Sequence, residues 1–209
     1  MTPERHSKFQ SVLAKRQFNL AIVLENVEDP HNISAVMRTC DAVGIQDIYI
    51  VTTTIPKHPR FGPKSSSSAA KWLTIHQFDS VEACMAVIRP LYQTILTTHL
   101  SSDAVDLYDI DFATASVALV FGNEHDGVSE EMRQVADGNF IIPQVGMIQS
   151  LNISVACAIS IYEAYRQKKV AGHYQRKTVT VQREEAIVAV WSMKKEKFRF
   201  KDLKLLKRK

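Results

Sequence analysis

Two hydrophobic rhythms alternate along most of the chain: short apolar runs, and longer stretches with apolar residues three or four apart. Residues 3–16 carry Phe9, Val12 and Leu13 at the second spacing. Thr2 stands where a cap belongs and Pro3 in the first turn, so an amphipathic helix is predicted over 3–16. Residues 20–25 form a short apolar run, a strand, followed by a polar loop at 26–31. Asn32 is predicted to cap a helix through Ile33, Val36, Met37 and Cys40 that Gly44 ends. The same reading gives a strand at 47–51, a helix at 80–89 stopped by Pro90, and a strand at 93–97. Residues 117–121 are apolar throughout, which suits a central strand covered on both faces. Ser129 with Glu130 and Glu131 opens a further helix, 139–142 is the last clear strand, and 152–168 is the last helix of the core. Strands alternating with helices in this way predict an α/β fold, a mostly parallel sheet with helices on both faces. Ligands in such sheets sit beyond the carboxyl ends of the strands, which singles out the loops 26–32, 122–127 and 143–151.

Composition narrows this picture only a little. With 209 residues and 45% of them apolar, the chain can bury one core of useful size, with residues left over at the ends. The net charge of +4 is mild, so its placement carries more information than its size. Arg5, Lys8, Lys15 and Arg16 lie mostly off the apolar stripe of the first helix. Residues 193–209 are dense in Lys and Arg, broken by Phe198, Phe200, Leu203, Leu205 and Leu206, and a helix there has one cationic side suited to phosphate. The segment 52–70 has three prolines, a serine run, and Lys57, His58, Arg60 and Lys64, and reads as a long mobile surface loop. Cys40, Cys84 and Cys157 are odd in number, far apart and set in helix-like apolar contexts, so they read as reduced core residues. The seven histidines lack H-x-x-x-H spacing, and no metal is expected. No apolar run approaches the roughly 20 residues of a membrane span, and residues 1–10 lack the apolar region of a secretory signal. A cytoplasmic protein is expected, divided into a basic helix at 1–17, a main domain at 18–170 and a basic extension at 171–209.

Three motifs then stand on the three loops: N-V-E-D-P-H-N-I-S-A-V-M-R-T-C-D-A-V-G (26–44), F-G-N-E-H-D-G-V-S (121–129) and I-P-Q-V-G-M-I-Q-S-L-N-I-S-V-A (142–156). In this order they resemble the SPOUT superfamily, and within it the TrmH (SpoU) branch of RNA ribose 2′-O-methyltransferases, over roughly residues 5–175. The likeness is greatest to the branch members that methylate guanosine-18 in the D-loop of tRNA. It implies a C-terminal trefoil knot that holds S-adenosylmethionine bent, and an obligate homodimer with the site near the subunit interface. It does not separate tRNA from rRNA substrates by itself. Larger rRNA-modifying relatives often carry a separate N-terminal RNA-binding domain, and only a short helix stands here, which favours tRNA. A non-catalytic RNA-binding protein on the same scaffold, or a structural protein with basic ends, is the contrasting reading.

Roles follow residue by residue. By resemblance, Thr98, Ile142 and Leu151 contact the cofactor, with Gly146 and Met147 in the same loop. Glycines at 122, 127 and 146 let backbone approach adenine and sulfonium closely. No G-x-G-x-x-G follows a strand, which disfavours a dinucleotide-binding enzyme. The resemblance makes Arg38 the catalytic residue, as general base or as electrostatic stabiliser of the 2′-oxyanion. A guanidinium pKa above about 12 favours the second. Asn32 either caps its helix or orients Arg38 and substrate, Glu124 positions a partner, and Ser150 and Asn152 hold ribose or guanine. His125 departs from the lysine common in relatives. Arg166 and Arg176 are carried over as tRNA contacts, joined by Arg5, Lys8 and Arg16 of the first helix.

Overall fold

In the computed structural model, which describes residues 2–57 and 69–193, seven strands form one sheet with all neighbouring pairs parallel. The strands are β1 (Gln17–Glu25), β2 (Ile45–Val51), β3 (Thr74–Phe78), β4 (Thr94–Thr98), β5 (Val105–Asp106), β6 (Val117–Phe121) and β7 (Gly138–Ile141), in the order β3-β2-β1-β6-β4-β7-β5. The fully apolar β6 is the middle strand, as its composition predicts. Alternate residues of β1 enter opposite cores: Leu20, Ile22 and Leu24 face one, Ala21 and Val23 the other. The first core is closed by α2 (Pro30–Val43) and α5 (Ile153–Val170), the second by α3 (Val81–Ile88) and α4 (Glu130–Val135).

Helix α2 buries Ile33, Val36, Met37, Cys40 and Val43 and ends at Gly44, whose φ of +86° is the left-handed cap. Its start corrects the sequence reading. Asp29, not Asn32, is the cap: its carboxylate accepts from His31 N at 2.8 Å, and Pro30 follows in the first turn. Proline there has its φ preset and gives up no needed donor, so D-P outcompetes an asparagine three residues later. Asn32 sits inside the helix with its side chain released for other work.

The two ends meet. Helix α1 (Pro3–Leu13) stops short of the predicted 16 because the chain must turn into β1, and it lies against α6 (Val181–Ser192). Phe9, Leu13, Ile187 and Trp191 form a third small core with Trp72 alongside. Arg16 belongs to it. Its guanidinium is 1% exposed, donates to Ile45 O and Trp72 O (both 3.2 Å) and to Asp41 Oδ1 (2.5 Å), and lies over Trp191. The expectation that Arg16 meets RNA is therefore overturned: the side chain is spent on holding α2, β2 and α6 together.

The three cysteines are free and buried, and burial pushes their thiols up, Cys84 to about 12. They stay protonated and unreactive. Of the segment 52–70, Thr52 is buried, Lys57 pairs with Asp79 at 3.0 Å, and 69–71 form a buried helical turn. The mobile-loop reading falls otherwise on 58–68, and the basic-tail reading on 194–209, both outside the described residues. Among the described residues no helix is long and apolar enough to cross a membrane.

Lys168, near the end of α5, is fully buried and donates to Asn19 Oδ1 at 3.0 Å. Burial drives its pKa down to about 8, against the attraction of Asp111. A free lysine titrates near 10.4, so between about pH 8 and 10.4 the unfolded chain binds more protons and stability rises with pH; below 8 the full penalty applies. Lys168→Met is expected to raise unfolding free energy at pH 7 by about 2 kcal/mol, with the gain shrinking toward pH 10. Urea unfolding at both pH values checks this, and a gain that does not change with pH would reject it.

Candidate active site

The carboxyl ends of β4, β6 and β7 open into a cavity of about 590 Å³, within the roughly 300–1,000 Å³ usual for small-ligand sites. Thr98 comes from β4, Phe121 and Gly122 from β6 and its exit, and Ile142 follows β7. Ser150, Leu151 and Asn152 come from the approach to α5. Phe121 and Phe140, both almost wholly buried, meet edge to face at 5.9 Å in the core beneath it.

Gly122 is where the sheet permits this opening. A Cβ there would lie 2.1 Å from the Gly127 carbonyl, because residues 123–127 fold back as a tight hairpin. Asn123 N and Gly127 O pair at 2.9 Å and Gly127 N and Asn123 O at 3.0 Å. The Asn123 side chain steadies the hairpin: Oδ1 accepts from His125 N and Asp126 N, while Nδ2 reaches Asn26 O at 2.9 Å. Asn26, at a φ of +50°, in turn accepts from Thr53 N and Thr54 N. The loops after β1, β2 and β6 are thereby tied side by side.

At the cavity mouth the three motifs converge. Asn32 Nδ2 donates to Glu124 Oε1 at 2.9 Å, and Asn152 Nδ2 donates to Asn32 Oδ1 at 3.2 Å. Asn32 lies outside the cavity lining but holds two residues that line it. Arg38 is exposed on α2, beyond the cavity lining. Six helical residues set it about 9 Å along the axis from Asn32 and about 120° round. Of the cofactor residues expected from sequence, Thr98, Gly122, Ile142 and Leu151 line the cavity; Gly146 and Met147 do not. Met147 is fully exposed and a Cβ on Gly146 would meet nothing within 4 Å. The loop carries them outward, so within one chain neither closes on the site. Arg166 is surface-exposed but bound twice by Glu163, at 2.8 Å each, which holds the Glu163 carboxyl below its usual range. Arg5 and Lys8 lie exposed on α1, and Arg176 is exposed beyond α5.

Sequence reasoning missed the buttresses Asn26 and Asn123, whose polar side chains in G-N-E and E-N-V contexts signal loop hydrogen bonding only once the loops are known to touch. It also missed His99, which lines the cavity and accepts from Arg133 Nη1 through Nε2 at 2.6 Å.

The SpoU rRNA Methylase family matches residues 19–162, nearly all of this sheet and the first part of α5. The chain belongs to that family. Among its relatives, a tRNA (guanosine(18)-2′-O)-methyltransferase of Thermus thermophilus is 38% identical over 193 residues, spanning 92% of this chain and 98% of the other. The crystal structure of the Aquifex aeolicus TrmH/SpoU tRNA modifying enzyme superposes with a TM-score of 0.83 at 34% identity, over 91% of this chain and 98% of that one. The SpoU methyltransferase AviRb from Streptomyces viridochromogenes, in complex with AdoMet, superposes at 0.63 and 27%, over 74% and 62%. Methyltransferases of this family use S-adenosylmethionine. The cavity of this SpoU methylase fits such a group: Leu100, Ile142 and Leu151 offer apolar surface, the strand ends offer backbone, and Glu124 and Asn152 offer polar groups.

Proposed function

We propose that this SpoU methylase transfers a methyl group from S-adenosylmethionine to the ribose 2′-hydroxyl of guanosine-18 in the D-loop of tRNA, in the cytoplasm. The observation that carries the reading is the meeting of Asn32, Glu124 and Asn152, one from each motif, at the mouth of the cavity. The near full-length likeness to guanosine-18 methyltransferases supports the choice of substrate. When bound, the cofactor supplies an electrophilic methyl on sulfur; the chain must orient a weak nucleophile and accommodate its charge. Thr98, Gly122, Ile142 and Leu151 hold the cofactor. Ser150 and Asn152 bind the nucleoside, Glu124 keeps Asn32 in place, and Arg38 stabilises the 2′-oxyanion as its proton passes to solvent water. Arg5, Lys8, Arg166 and Arg176 supply phosphate contacts.

The trefoil knot and the homodimer belong to the same proposal. The placing of residues 149–152 at the cavity and of α5 in one core with α2 supports that reading. Exposed Val145, Met147, Ile148, Val155 and Tyr162 follow one another along that loop and helix. An apolar series of this length on a water-facing surface is accounted for by a second copy of the chain. Docking would bring Gly146 and Met147 toward a site. The double variant Met147→Asp, Tyr162→Glu is expected to shift the mass by light scattering from two chains to one, with methylation lost; a variant that stays dimeric rejects this interface.

The function itself is tested with methyl-labelled S-adenosylmethionine and unmodified tRNA transcripts, followed by nucleotide mapping. Label in 2′-O-methylguanosine at position 18 is the expected result. Label in a base overturns the reaction type, and label in another ribose overturns the substrate.

A further inference from the structure

We infer that Ser154 is a positioning residue of this site, its hydroxyl steadying the Asn152 amide within the site's hydrogen-bond chain; the inference rests on the function proposed above. Asn152 caps α5, and its Oδ1 accepts twice from Ser154, from the backbone N at 2.9 Å and from the hydroxyl at 2.6 Å. Capping a helix needs only the first of these bonds. The second reinforces it. The backbone N–H can only donate, so the oxygen faces Ser154 and the nitrogen faces Asn32, whose Oδ1 lies at 3.2 Å, and the hydroxyl ties that oxygen down with a second bond. Asn32 is then fixed in its turn: its oxygen accepts from Asn152, so its nitrogen points at Glu124 Oε1, 2.9 Å away. A carboxylate only accepts, so the chain has one sense, Ser154 to Asn152 to Asn32 to Glu124.

The reversed arrangement fails at each link. A flipped Asn152 would set its NH₂ against the backbone N–H of Ser154 and its oxygen against the oxygen of Asn32. Each amide in the observed sense spends one of its two N–H groups within the chain and keeps the other for substrate. The free hydrogens therefore sit on known atoms, Asn152 Nδ2 and Asn32 Nδ2, and the half-buried Ser154 hydroxyl steadies the amide that presents the first of them. Its action is at a distance, through the amide it holds.

Ser154→Ala keeps the backbone donor and the helix cap while deleting the hydroxyl. We expect kcat for tRNA methylation to fall about tenfold, with S-adenosylmethionine affinity by calorimetry and the melting temperature nearly unchanged. Ser154→Thr should restore the rate. In an Asn152→Ala background, measured in single turnovers, Ser154→Ala should cost nothing further, which a purely structural serine would not show. Side-chain amide NMR supplies a readout free of activity: hydrogen exchange of the Asn152 amide should quicken in Ser154→Ala. Full-speed turnover by Ser154→Ala, equal costs with and without Asn152, or an unaltered Asn152 amide would each overturn the inference. A wild-type protein that fails to methylate tRNA at all would reject the proposed function instead, leaving the NMR result to decide the role of Ser154.

Discussion

Arg38→Lys is expected to lower the rate of methyl transfer by about 100-fold or more, since deleting one well-placed oxyanion partner typically costs about 10²–10³ in kcat. Lysine retains the charge but not the planar fork, which can meet a phosphate and a developing alkoxide together. Arg38→Ala should do as much damage or more. Both variants should fold normally, because the side chain stands exposed on α2 and takes no part in its buried stripe. Cofactor affinity should hold too, because Arg38 lies beyond the cavity lining. Single-turnover methylation beside calorimetric binding of S-adenosylmethionine separates these effects. Near-normal turnover by folded Arg38→Ala would remove arginine from the mechanism in either of its roles, base or stabiliser.

Gly122→Ala should be the most disruptive glycine-to-alanine substitution among the described residues. The new methyl carbon would sit 2.1 Å from the Gly127 carbonyl and 2.2 Å from Val128 N, and these are backbone atoms with no rotamer to yield. The hairpin has to open, which breaks the paired bonds between Asn123 and Gly127 and carries Glu124 away from Asn32. Overpacking against rigid backbone costs about 1–3 kcal/mol, and the upper end is expected here. Cofactor binding should fall below detection, because the cavity floor and its rim move together. Gly146→Ala is the contrast: with open space around its Cβ, the fold should keep its stability. Urea unfolding and calorimetry of both variants measure the two effects. A Gly122→Ala protein of ordinary stability that binds the cofactor would show the hairpin to be far more yielding than its contacts indicate.

Strands whose two faces are both buried announce themselves. The apolar runs of β1, β2 and β6 gave position and type, with centrality for β6, and the helices α2 to α5 followed from spacing and caps, save for the cap of α2. What escaped was structure whose reason lies elsewhere in the chain. T-I-H-Q-F of β3 reads as polar, yet His76 is held by Asp47 at 3.1 Å and stacks on Tyr49, contacts set by a neighbouring strand. Helix α6 was hidden for the same reason, since Arg183 reaches Asp47 at 2.5 Å and Trp191 meets Phe9 from more than 170 residues away. Arg16 was misjudged because a basic residue on a basic helix reads as solvent-facing until its partners Asp41 and Trp72 are brought to it. In the site, the motifs named Asn32, Glu124, Ser150 and Asn152 but not their order of bonding. Only folding shows that a D-P cap frees Asn32 to join the other two.

The joining of both ends in one small cluster changes how deletions should be interpreted. Cutting the chain after Lys177 looks like a clean way to strip basic residues from an RNA-binding face. The same cut takes away Ile187 and Trp191 and leaves Phe9, Leu13 and Trp72 facing water. It also removes the tryptophan ring beneath Arg16. A shortened enzyme that clumps or loses its grip on tRNA would thus report a wounded scaffold as readily as missing phosphate contacts, and charge-reversing point changes at exposed Lys8 or Arg176 are the sounder instrument.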